Sequence, residues 1–374
     1  MNSTAGYPYT TAENINEYNA TIYSFLFYTK MDELVITVLL PIIFVIGVLG
    51  NCAVVIVFYR VKTMRTVTNC YLIALSIADF TFLISAIPMF WVSYLNSPVP
   101  DDIADVSIIY CKLSLYTSDV SFIVSCLLIL MVTVERYLAI NWSLQSKRLS
   151  TKKRAIVHCW AVWIIVIIYK IPDLFFVTLS RVPLDREFVD VPTDFPLQVS
   201  FCMYCNLGNE TEECTNFRKA LILEGILPLL EIVPITILYT MVIIKLKRHC
   251  NFTLPRQLTN GHSSRICLRR ETQVTRLLMV TVFVFVICVT PFQMLHIIPE
   301  DLLQVINDKL PHARNIAKIL LYINSAINPI LYNLVCGNFR QAFKKVFTGF
   351  CLMPYQCTHQ FKSSTREIHL ELKS

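Results

Sequence analysis

The sequence is poor in charge and in glycine. Only 16% of its 374 residues are Asp, Glu, Lys or Arg and 55% are hydrophobic, whereas soluble domains average about 25% charged residues. That composition excludes an ordinary soluble domain of this length. Glycine occurs only 8 times and proline 17 times, which excludes collagen-like and low-complexity architectures.

Catalytic and metal-site motifs are also missing. The apolar segments contain no H-E-x-x-H or G-x-S-x-G motif, and no two C-x-x-C motifs have the spacing of a zinc site. Many of the 14 cysteines lie within apolar runs, where cysteine usually packs as a small hydrophobe. No internal repeat of the kind found in transporters is visible. We therefore predict a protein that is not an enzyme and that needs no cofactor.

Seven long apolar runs are what the sequence does contain. Each is long enough to span about 30 Å of hydrocarbon as a helix. They lie near 33–60, 68–95, 108–140, 153–178, 218–246, 270–298 and 312–335. We predict an all-α membrane protein, a seven-transmembrane helix bundle.

The charges between the runs predict the orientation in the membrane. Basic residues gather in the odd-numbered connections and acidic residues in the even-numbered ones. The positive-inside rule then places the N-terminus outside the cell, in a multi-pass protein of the plasma membrane. Because the net charge of +7 is divided among short connections, we predict no nucleic-acid partner.

The first 30 residues are polar and differ in composition from the bundle. Asn2 and Asn19 begin glycosylation triplets, and a third triplet at Asn209 falls in an outer loop. The segment has no basic stretch followed by an apolar core, so we predict no cleavable signal peptide. Residues 1–30 are expected to form a glycosylated extracellular segment.

The chain after the bundle, which we place at 31–335, has two parts. Residues 336–350 carry aromatic side chains on one helical face and basic side chains on the other, which predicts an amphipathic helix in contact with membrane lipid. Cys351 is a candidate palmitoylation site, with a free cytosolic thiol as the alternative. Residues 351–374 are expected to be a disordered cytoplasmic tail.

Polar residues interrupt the apolar runs at a common depth. Asp79 lies in the middle of the second run, and Asn328 precedes Pro329 in the seventh. A polar group in hydrocarbon is costly, so each of these residues needs a partner. We predict a hydrated cluster that holds Na⁺ or a water network, with a buried neutral acid as the alternative. The expected oxygen ligands of Na⁺ are Asp79, Ser125, Asn324 and Ser325.

A charged pair, Glu135-Arg136, ends the third run and is followed by Tyr137. A charge at that depth is costly unless it is paired or faces water, and the alternative is an arginine that reaches to the lipid surface. Glu271 opens the sixth run at the same membrane face. An acid there is able to hold Arg136 in one conformation and release it in another, which predicts a switch.

These features together resemble the rhodopsin-like G-protein-coupled receptors. The matching motifs cover all seven spans: Gly50-Asn51, Leu75 with Ala78-Asp79, Cys111, Glu135-Arg136-Tyr137, Trp163 with Pro172, Tyr239, Phe285 with Cys288 and Pro291, and Asn328-Pro329-Ile330-Leu331-Tyr332. Within that family, residues 64–72, 273–276 and 322–329 resemble neuropeptide receptors, in particular the thyrotropin-releasing-hormone receptor group.

The resemblance implies a receptor that activates heterotrimeric G proteins by an outward swing of the sixth helix. It also implies arrestin and a receptor kinase as partners. The residues that it assigns to the switch and to G-protein coupling are Glu135, Arg136, Tyr137, Leu144, Tyr239, Glu271, Asn328, Pro329 and Tyr332.

The resemblance also indicates where a ligand binds. Aminergic receptors have an Asp where this chain has Ser118, which argues against an amine. Asp119 and Lys318 instead offer two opposite charges near the outer ends of spans, which suits a peptide. A lipid or other small molecule is the alternative ligand, and a purely structural pairing of these two charges is the alternative role. The expected binding residues are Asp119, Phe292, Gln293, His296 and Lys318.

A disulfide is implied between the outer start of the third span and the second outer loop. The family's cysteine in that span is Cys111, and the loop offers Cys202, Cys205 and Cys214. Extracellular thiols are normally oxidised, so Cys111 is expected to be paired. Cys111–Cys202 is the favoured pair, and Cys205 is the alternative partner of Cys111. Alternating residues in the same loop predict a β-hairpin.

Two positions inside the spans depart from the family pattern, besides Ser143, which replaces a usual proline after the third span. The usual tryptophan of the sixth span is Val289, and the usual proline of the fifth span is Glu231. Another aromatic residue, Phe285 or Phe292, must then serve as the aromatic toggle of the sixth helix.

Overall fold

The computed structural model describes residues 27–103, 106–141, 151–183, 196, 198–205, 211–253, 262–298 and 313–347. The side chains of 246–253, 262–272 and 274 are outside that description. The predicted glycosylation sites Asn2, Asn19 and Asn209 and the predicted palmitoylation site Cys351 also lie outside the described residues.

Eight long helices make up most of the described chain. They are α1 (Lys30–Arg60), α2 (Val67–Asn96), α3 (Ile108–Asn141), α4 (Lys152–Tyr169), α5 (Glu212–Thr253), α6 (His262–Ile297), α7 (Ala313–Val335) and α8 (Gly337–Phe347). The first six are long and apolar enough to cross a membrane, and α7 passes that test together with α8, which bends away from it by 100°. The predicted seven-helix membrane bundle is thus confirmed.

Several helices begin at a hydroxyl side chain that caps the first turn. Thr29 accepts a hydrogen bond from the backbone of Asp32, Thr66 caps α2 and Thr151 caps α4. Such caps satisfy backbone N–H groups that have no partner within the helix. They fix where α1, α2 and α4 start at the two membrane faces.

The apolar spans follow the predicted runs, with differences at the helix ends. The fourth predicted run, 153–178, matches the apolar span Lys152–Phe176, although its helix is interrupted after Tyr169 and continues as a helical turn, Asp173–Phe176, that leads directly into a strand. Helices α5 and α6 are longer than the apolar runs 218–246 and 270–298. Hydropathy detects only the part of a helix that lies in hydrocarbon, and these two helices continue beyond it.

The interior of the bundle is apolar and draws side chains from all seven spans. Large hydrophobic residues also cover the outside, among them Leu49 on α1, Trp160 on α4 and Phe283 on α6. In a soluble protein such an exposed apolar surface would cause aggregation. In a membrane it is the surface that contacts lipid.

A two-stranded antiparallel hairpin covers the outer end of the bundle. Strand β1 (Val177–Pro183) pairs with β2 (Gln198–Tyr204), with Val177 opposite Tyr204. The backbone N–H of Ile103 donates to the Ser200 carbonyl at 2.8 Å, and the Ser200 N–H donates to Asp102 at 2.8 Å. The predicted hairpin is therefore present, and it is attached to the loop between α2 and α3.

Helix α8 is amphipathic, as predicted. Phe339 and Ala342 are buried against the bundle, whereas the other side of the helix carries Lys344 and Lys345. Phe339 packs on Tyr332 with their ring centroids 5.4 Å apart. This contact fixes the direction in which α8 leaves the end of α7.

Candidate functional site

A cavity of about 440 Å³ lies among the outer halves of α2, α3, α6 and α7, with β2 along one side. Its wall is mostly apolar and aromatic. Three of the predicted binding residues line it: Asp119 from α3, Phe292 from α6 and Lys318 from α7. An apolar cavity with a few convergent polar groups is the usual form of a ligand site.

The other two predicted binding residues lie outside this cavity wall. Gln293 and His296 face α5, where a Cβ placed on Gly225 would lie 2.9 Å from Cδ2 of His296 and 3.5 Å from Oε1 of Gln293. The absence of a side chain at Gly225 lets α5 and α6 approach closely here. His296 still contacts the cavity indirectly, because its ring stacks on Phe292 at 6.4 Å.

A buried lysine organises the α3, α4 and α5 side of the cavity. The Nζ atom of Lys170 lies 2.5 Å from Asp173 Oδ2, 3.1 Å from Glu224 Oε1 and 3.6 Å from Asp119 Oδ2. Its side chain is only 1% exposed. One ammonium therefore joins carboxylates from three parts of the chain, and we call Lys170, Asp119, Asp173 and Glu224 the Lys170 cluster.

Tyr204 connects this cluster to the hairpin. Its hydroxyl donates to Asp119 Oδ2 and also lies 3.3 Å from Asp173 Oδ2. Burial, followed by the negative charge of Asp119 and its hydrogen bond, raises the pKa of Tyr204 well above its usual range. The phenol therefore stays protonated and remains a donor at physiological pH.

Lys318 stands apart from the Lys170 cluster. Its Nζ atom lies 3.9 Å from Asp101 Oδ2 and 5.2 Å from the centre of the Phe90 ring. Among the described contacts, Asp119 pairs with Lys170 and not with Lys318. The alternative that Asp119 and Lys318 serve only as each other's partner therefore finds no support in the geometry.

Two disulfides hold the outer loop. One joins Cys111 at the start of α3 to Cys202 in β2, and the other joins Cys205 to Cys214 in the first turn of α5. The favoured prediction, Cys111 with Cys202, is confirmed, and the alternative partner Cys205 bonds Cys214 instead. The hairpin is thereby linked covalently to both α3 and α5.

A second polar cluster lies deep in the bundle around Asp79, which is fully buried. Ser125 donates to Asp79 Oδ1 at 3.2 Å, and Asn328 Nδ2 donates to Oδ2 at 2.7 Å. Asn51 Nδ2 donates to the Ser325 carbonyl at 3.0 Å. That carbonyl is free because Pro329, four residues later, has no N–H to donate.

A buried oxygen near this cluster, Oδ1 of Asn51, has no partner among the described protein atoms. The hydroxyls of Ser76 and Tyr332 are also buried, and they lie close enough to interact with each other. Buried polar atoms in native proteins are usually bonded, often to internal water. The residues that we predicted to hold Na⁺ are all buried here, Asp79, Ser125, Asn324 and Ser325, and their carboxylate, hydroxyl and amide oxygens fit a hard cation or water.

The inner end of α3 carries the predicted switch pair. Arg136 Nε donates to Glu135 Oε2 at 2.8 Å, and both side chains are largely buried. Thr68 on α2 also donates to Glu135 Oε2 at 3.4 Å. The pair is therefore held inside the bundle rather than extended toward lipid.

The other predicted switch residues have different positions. Tyr239 is buried close enough to Arg136 to interact with it electrostatically, and Tyr137 is half-buried. Leu144 lies outside the described residues, and for Glu271 the structure describes the helix but not the side chain. The proposed contact between Glu271 and Arg136 stays a prediction.

The two departures from the family pattern occupy the middle of the bundle. Val289 and Phe285 are both buried in α6. Glu231 on α5 has a buried carboxylate oxygen without a partner among the described residues. The aromatic side chain that packs deepest in this part of α6 is Phe285, whereas Phe292 lines the outer cavity.

Sequence reasoning missed two of these contacts. Tyr204 was not among the predicted site residues, although it lies between two loop cysteines and is therefore held in place. Asn51 was recognised as a motif residue, but its bond to the carbonyl freed by Pro329 was not foreseen. The signal for that bond was present, because a proline inside a membrane helix requires a donor from a neighbouring helix.

Comparison with known proteins adds to this geometry. The family described as 7 transmembrane receptor (rhodopsin family) matches residues 50–332. That range includes α2 to α6, most of α7 and the last third of α1.

The similar proteins are named as receptors for peptides. Neuromedin-U receptor 2 of Mus musculus is 30% identical in an alignment of 334 positions that covers 85% of this chain and 76% of that receptor. The allatostatin-A receptor of Bombyx mori is 26% identical over 87% of this chain and 83% of its own length. The thyrotropin-releasing hormone receptor of Gallus gallus is 28% identical over 90% of this chain and 84% of its own length.

Proposed function

The chain belongs to the rhodopsin family of seven-transmembrane receptors, and we propose that it binds an extracellular peptide in the cavity between α2, α3, α6 and α7. Proteins of this family are receptors and not enzymes. The relatives named above take their names from three different peptides. At 26–30% identity they support the class of ligand without selecting one of the three.

The observation that carries this proposal is the pair of opposite charges in one cavity wall. Asp119 is on α3 and Lys318 is on α7, and both line a mainly aromatic space of about 440 Å³. A peptide end offers both a charged or amide terminus and charged side chains within that volume. The acyl chain of a lipid has no polar group for either position, whereas a peptide has groups of both signs.

Signalling to the G protein is proposed to start at the inner end of α3. Arg136 is held by Glu135 at 2.8 Å in this structure. We propose that α6 swings outward, that Arg136 is then released, and that Leu144 contributes an apolar contact to a heterotrimeric G protein. Arrestin and a receptor kinase are proposed as the partners that end the signal at the cytoplasmic tail.

The surroundings of Asp79 are proposed to bind Na⁺ in the resting receptor. The support is chemical, because a buried carboxylate is surrounded by hydroxyl and amide groups and hard cations prefer oxygen ligands. The proposed location of the receptor is the plasma membrane, with the N-terminus outside, and the distribution of basic residues among the connections supports it.

The experiment is a panel of peptides applied to cells that express the full chain, with nucleotide exchange on G proteins as the readout. The panel includes neuromedin U, allatostatin A and thyrotropin-releasing hormone. We expect one peptide to produce saturable exchange. Exchange evoked only by a lipid fraction would replace the peptide proposal, and movement of solute without nucleotide exchange would contradict the receptor function.

Two variants test the switch in the same cells. Arg136→Ala is expected to bind the active peptide and reach the surface but to give no exchange, because the charge released on activation is gone. Glu271→Ala is expected to raise basal exchange about 5–150-fold, the range of a coupling of about 1–3 kcal/mol. Unchanged basal exchange in Glu271→Ala at a matched surface level would remove Glu271 from the switch.

A further inference from the structure

Tyr204 lies where the outer loop is most tightly constrained. It stands between Cys202, which is joined to Cys111 at the start of α3, and Cys205, which is joined to Cys214 at the start of α5. Cys205 has a φ of 65°, in the left-handed region that few residues other than glycine adopt. The chain on both sides of Tyr204 is thus fixed by covalent bonds to two different helices.

The ring of Tyr204 is also held by packing. Its centroid lies 5.6 Å from that of Phe217 on α5, and Phe217 stacks on Phe176 at 4.2 Å. The backbone of Tyr204 pairs with Val177 in β1. Strand, ring and disulfides therefore define the position of the hydroxyl before it meets any polar group.

The hydroxyl meets Asp119, and it engages only one of the two carboxylate oxygens. It donates to Oδ2, the same oxygen that lies 3.6 Å from Lys170 Nζ. Within the described part of the chain, no donor bonds to Oδ1. The side chain of Asp119 is 37% exposed and lines the cavity, so a carboxylate whose Oδ2 is bonded to the Lys170 cluster still has Oδ1 available to a ligand.

We propose that Tyr204 is a positioning residue of the ligand site. It turns Oδ2 of Asp119 toward Lys170 and presents Oδ1 to the ligand, and the Cys205–Cys214 disulfide holds Tyr204 in the position that this requires. The inference rests on the proposed function, since it concerns how the peptide meets Asp119. A hydrogen bond weakens steeply when its angle or length changes. A shift of Tyr204 relative to α3 would therefore release the carboxylate.

The first test needs no ligand and uses the purified full-length receptor. Tyr204→Phe removes only the hydroxyl and keeps the ring against Phe217. Its effect on the melting temperature should be non-additive with that of Asp119→Asn, because residues in direct contact couple in a double-mutant cycle. Tyr116→Phe is the matched control, since its hydroxyl bonds the Ile167 carbonyl between α3 and α4 at 2.8 Å and it lies outside the cavity wall.

The second test uses the panel peptide that activates the wild-type receptor. At matched surface levels, Tyr204→Phe is expected to lower its potency about tenfold or more, as for a lost hydrogen bond to a charged group. Tyr116→Phe should leave potency unchanged. The double variant Tyr204→Phe/Asp119→Asn should be no less potent than Asp119→Asn alone, because Tyr204 acts through Asp119.

The disulfide has its own variant, Cys205→Ser with Cys214→Ser, which leaves Cys111–Cys202 intact. We expect it to reproduce the potency loss of Tyr204→Phe and to add nothing to it. Losses that add up, or full potency in Tyr204→Phe, would overturn the positioning role. If no panel peptide activates the wild type, the proposed function fails. The melting experiment still tests the Tyr204–Asp119 contact by itself, and additive effects of the two variants on the melting temperature would contradict that contact.

Discussion

The bundle buries carboxylates at two levels and stabilises them in two different ways. In the outer half, Lys170 supplies a full positive charge to Asp119, Asp173 and Glu224. In the middle of the bundle, Asp79 is bonded to the neutral groups of Ser125 and Asn328. Among the described residues, no Lys or Arg lies within 4 Å of Asp79.

The difference follows from what each level has to do. A buried ion pair of good geometry is rigid, because losing one partner leaves the other charge in a low dielectric. A neutral hydroxyl or amide group is able to replace one hydrogen-bond partner by water or a cation at a lower free-energy cost than breaking a buried ion pair, because the group is hydrogen-bonded or coordinated in either arrangement. The Lys170 cluster is therefore suited to be a fixed frame for the proposed ligand site, whereas the polar groups around Asp79 are able to change partners.

The largest expected effect is that of Lys170→Met, which keeps the length of the side chain and removes its charge. Three carboxylates would then share one largely buried region without a cation. Removing one partner from a buried pair costs about 3–5 kcal/mol, so we expect surface expression to fall more than tenfold. Antibody labelling of an N-terminal tag on intact cells, compared with total protein, measures it.

Neutralising the acids as well is the control for this variant. Lys170→Met combined with Asp173→Asn and Glu224→Gln removes the two more buried charges and leaves only Asp119, whose side chain is 37% exposed to water. This variant should recover much of the surface expression, since neutralising buried partners together is often close to neutral. A wild-type surface level in Lys170→Met alone would mean that the cluster is not a frame, and the comparison between the two levels would fail.

Changes at Asp79 rank second, because its partners are neutral. Asp79→Ala leaves the buried Nδ2 of Asn328 and the hydroxyl of Ser125 without their acceptor, at about 1–3 kcal/mol. Asp79→Asn keeps the shape and one acceptor oxygen, so it should reach the surface better than Asp79→Ala. Equal surface levels for the two variants would show that the hydrogen bonds to Asp79 contribute little to folding.

The same position tests for a cation. The affinity of the activating peptide for the wild-type receptor should fall as sodium replaces choline at constant ionic strength, and Asp79→Asn should remove that dependence. The reason is linkage, since a cation that prefers the resting state must weaken a ligand that prefers the active state. If the affinity of the wild-type receptor does not depend on sodium, the cation site is contradicted and a water network around Asp79 is the remaining interpretation.

The fold was predictable because the membrane imposes a simple rule. Only a helix satisfies its own backbone within a single membrane-crossing segment, so long apolar runs are sufficient evidence for most spans. The same rule does not give helix ends. The chain after Tyr169 turns because Pro172 interrupts the helix, and hydropathy does not mark this interruption, since Ile171, Leu174 and Phe175 continue the apolar run.

The site was predictable only in part. Asp119, Phe292 and Lys318 were identified from their places along the spans, and they do line one cavity. The sequence did not show that Gln293 and His296 lie outside the cavity wall, because the rotation of α6 about its axis decides whether a residue faces the cavity or α5. The pairing of Asp119 with Lys170 also depends on the packing of three helices, which no single stretch of sequence encodes.

The smallest expected effect on folding is that of Lys318→Gln, and this makes it the sharpest probe of binding. The side chain of Lys318 is 28% exposed, and its acidic neighbour Asp101 is 63% exposed at 3.9 Å. Such solvent-accessible pairs contribute about 0–1 kcal/mol, so surface expression should stay within about twofold of the wild type. Lys112→Gln, at the outer end of α3 and outside the cavity wall, is the matched control for loss of one positive charge.

If Lys318 contacts the peptide, the peptide is less potent at Lys318→Gln and equally potent at Lys112→Gln. Amidating or removing the peptide's terminal carboxylate should then change its potency at the wild type but not at Lys318→Gln. A peptide contact made by a charged group in a partly desolvated cavity is worth about tenfold or more in potency. Equal potency in Lys318→Gln and the wild type would take α7 out of the binding site. The ligand would then have to be recognised by Asp119 and the hairpin, on the side of the cavity where the Lys170 cluster fixes the geometry.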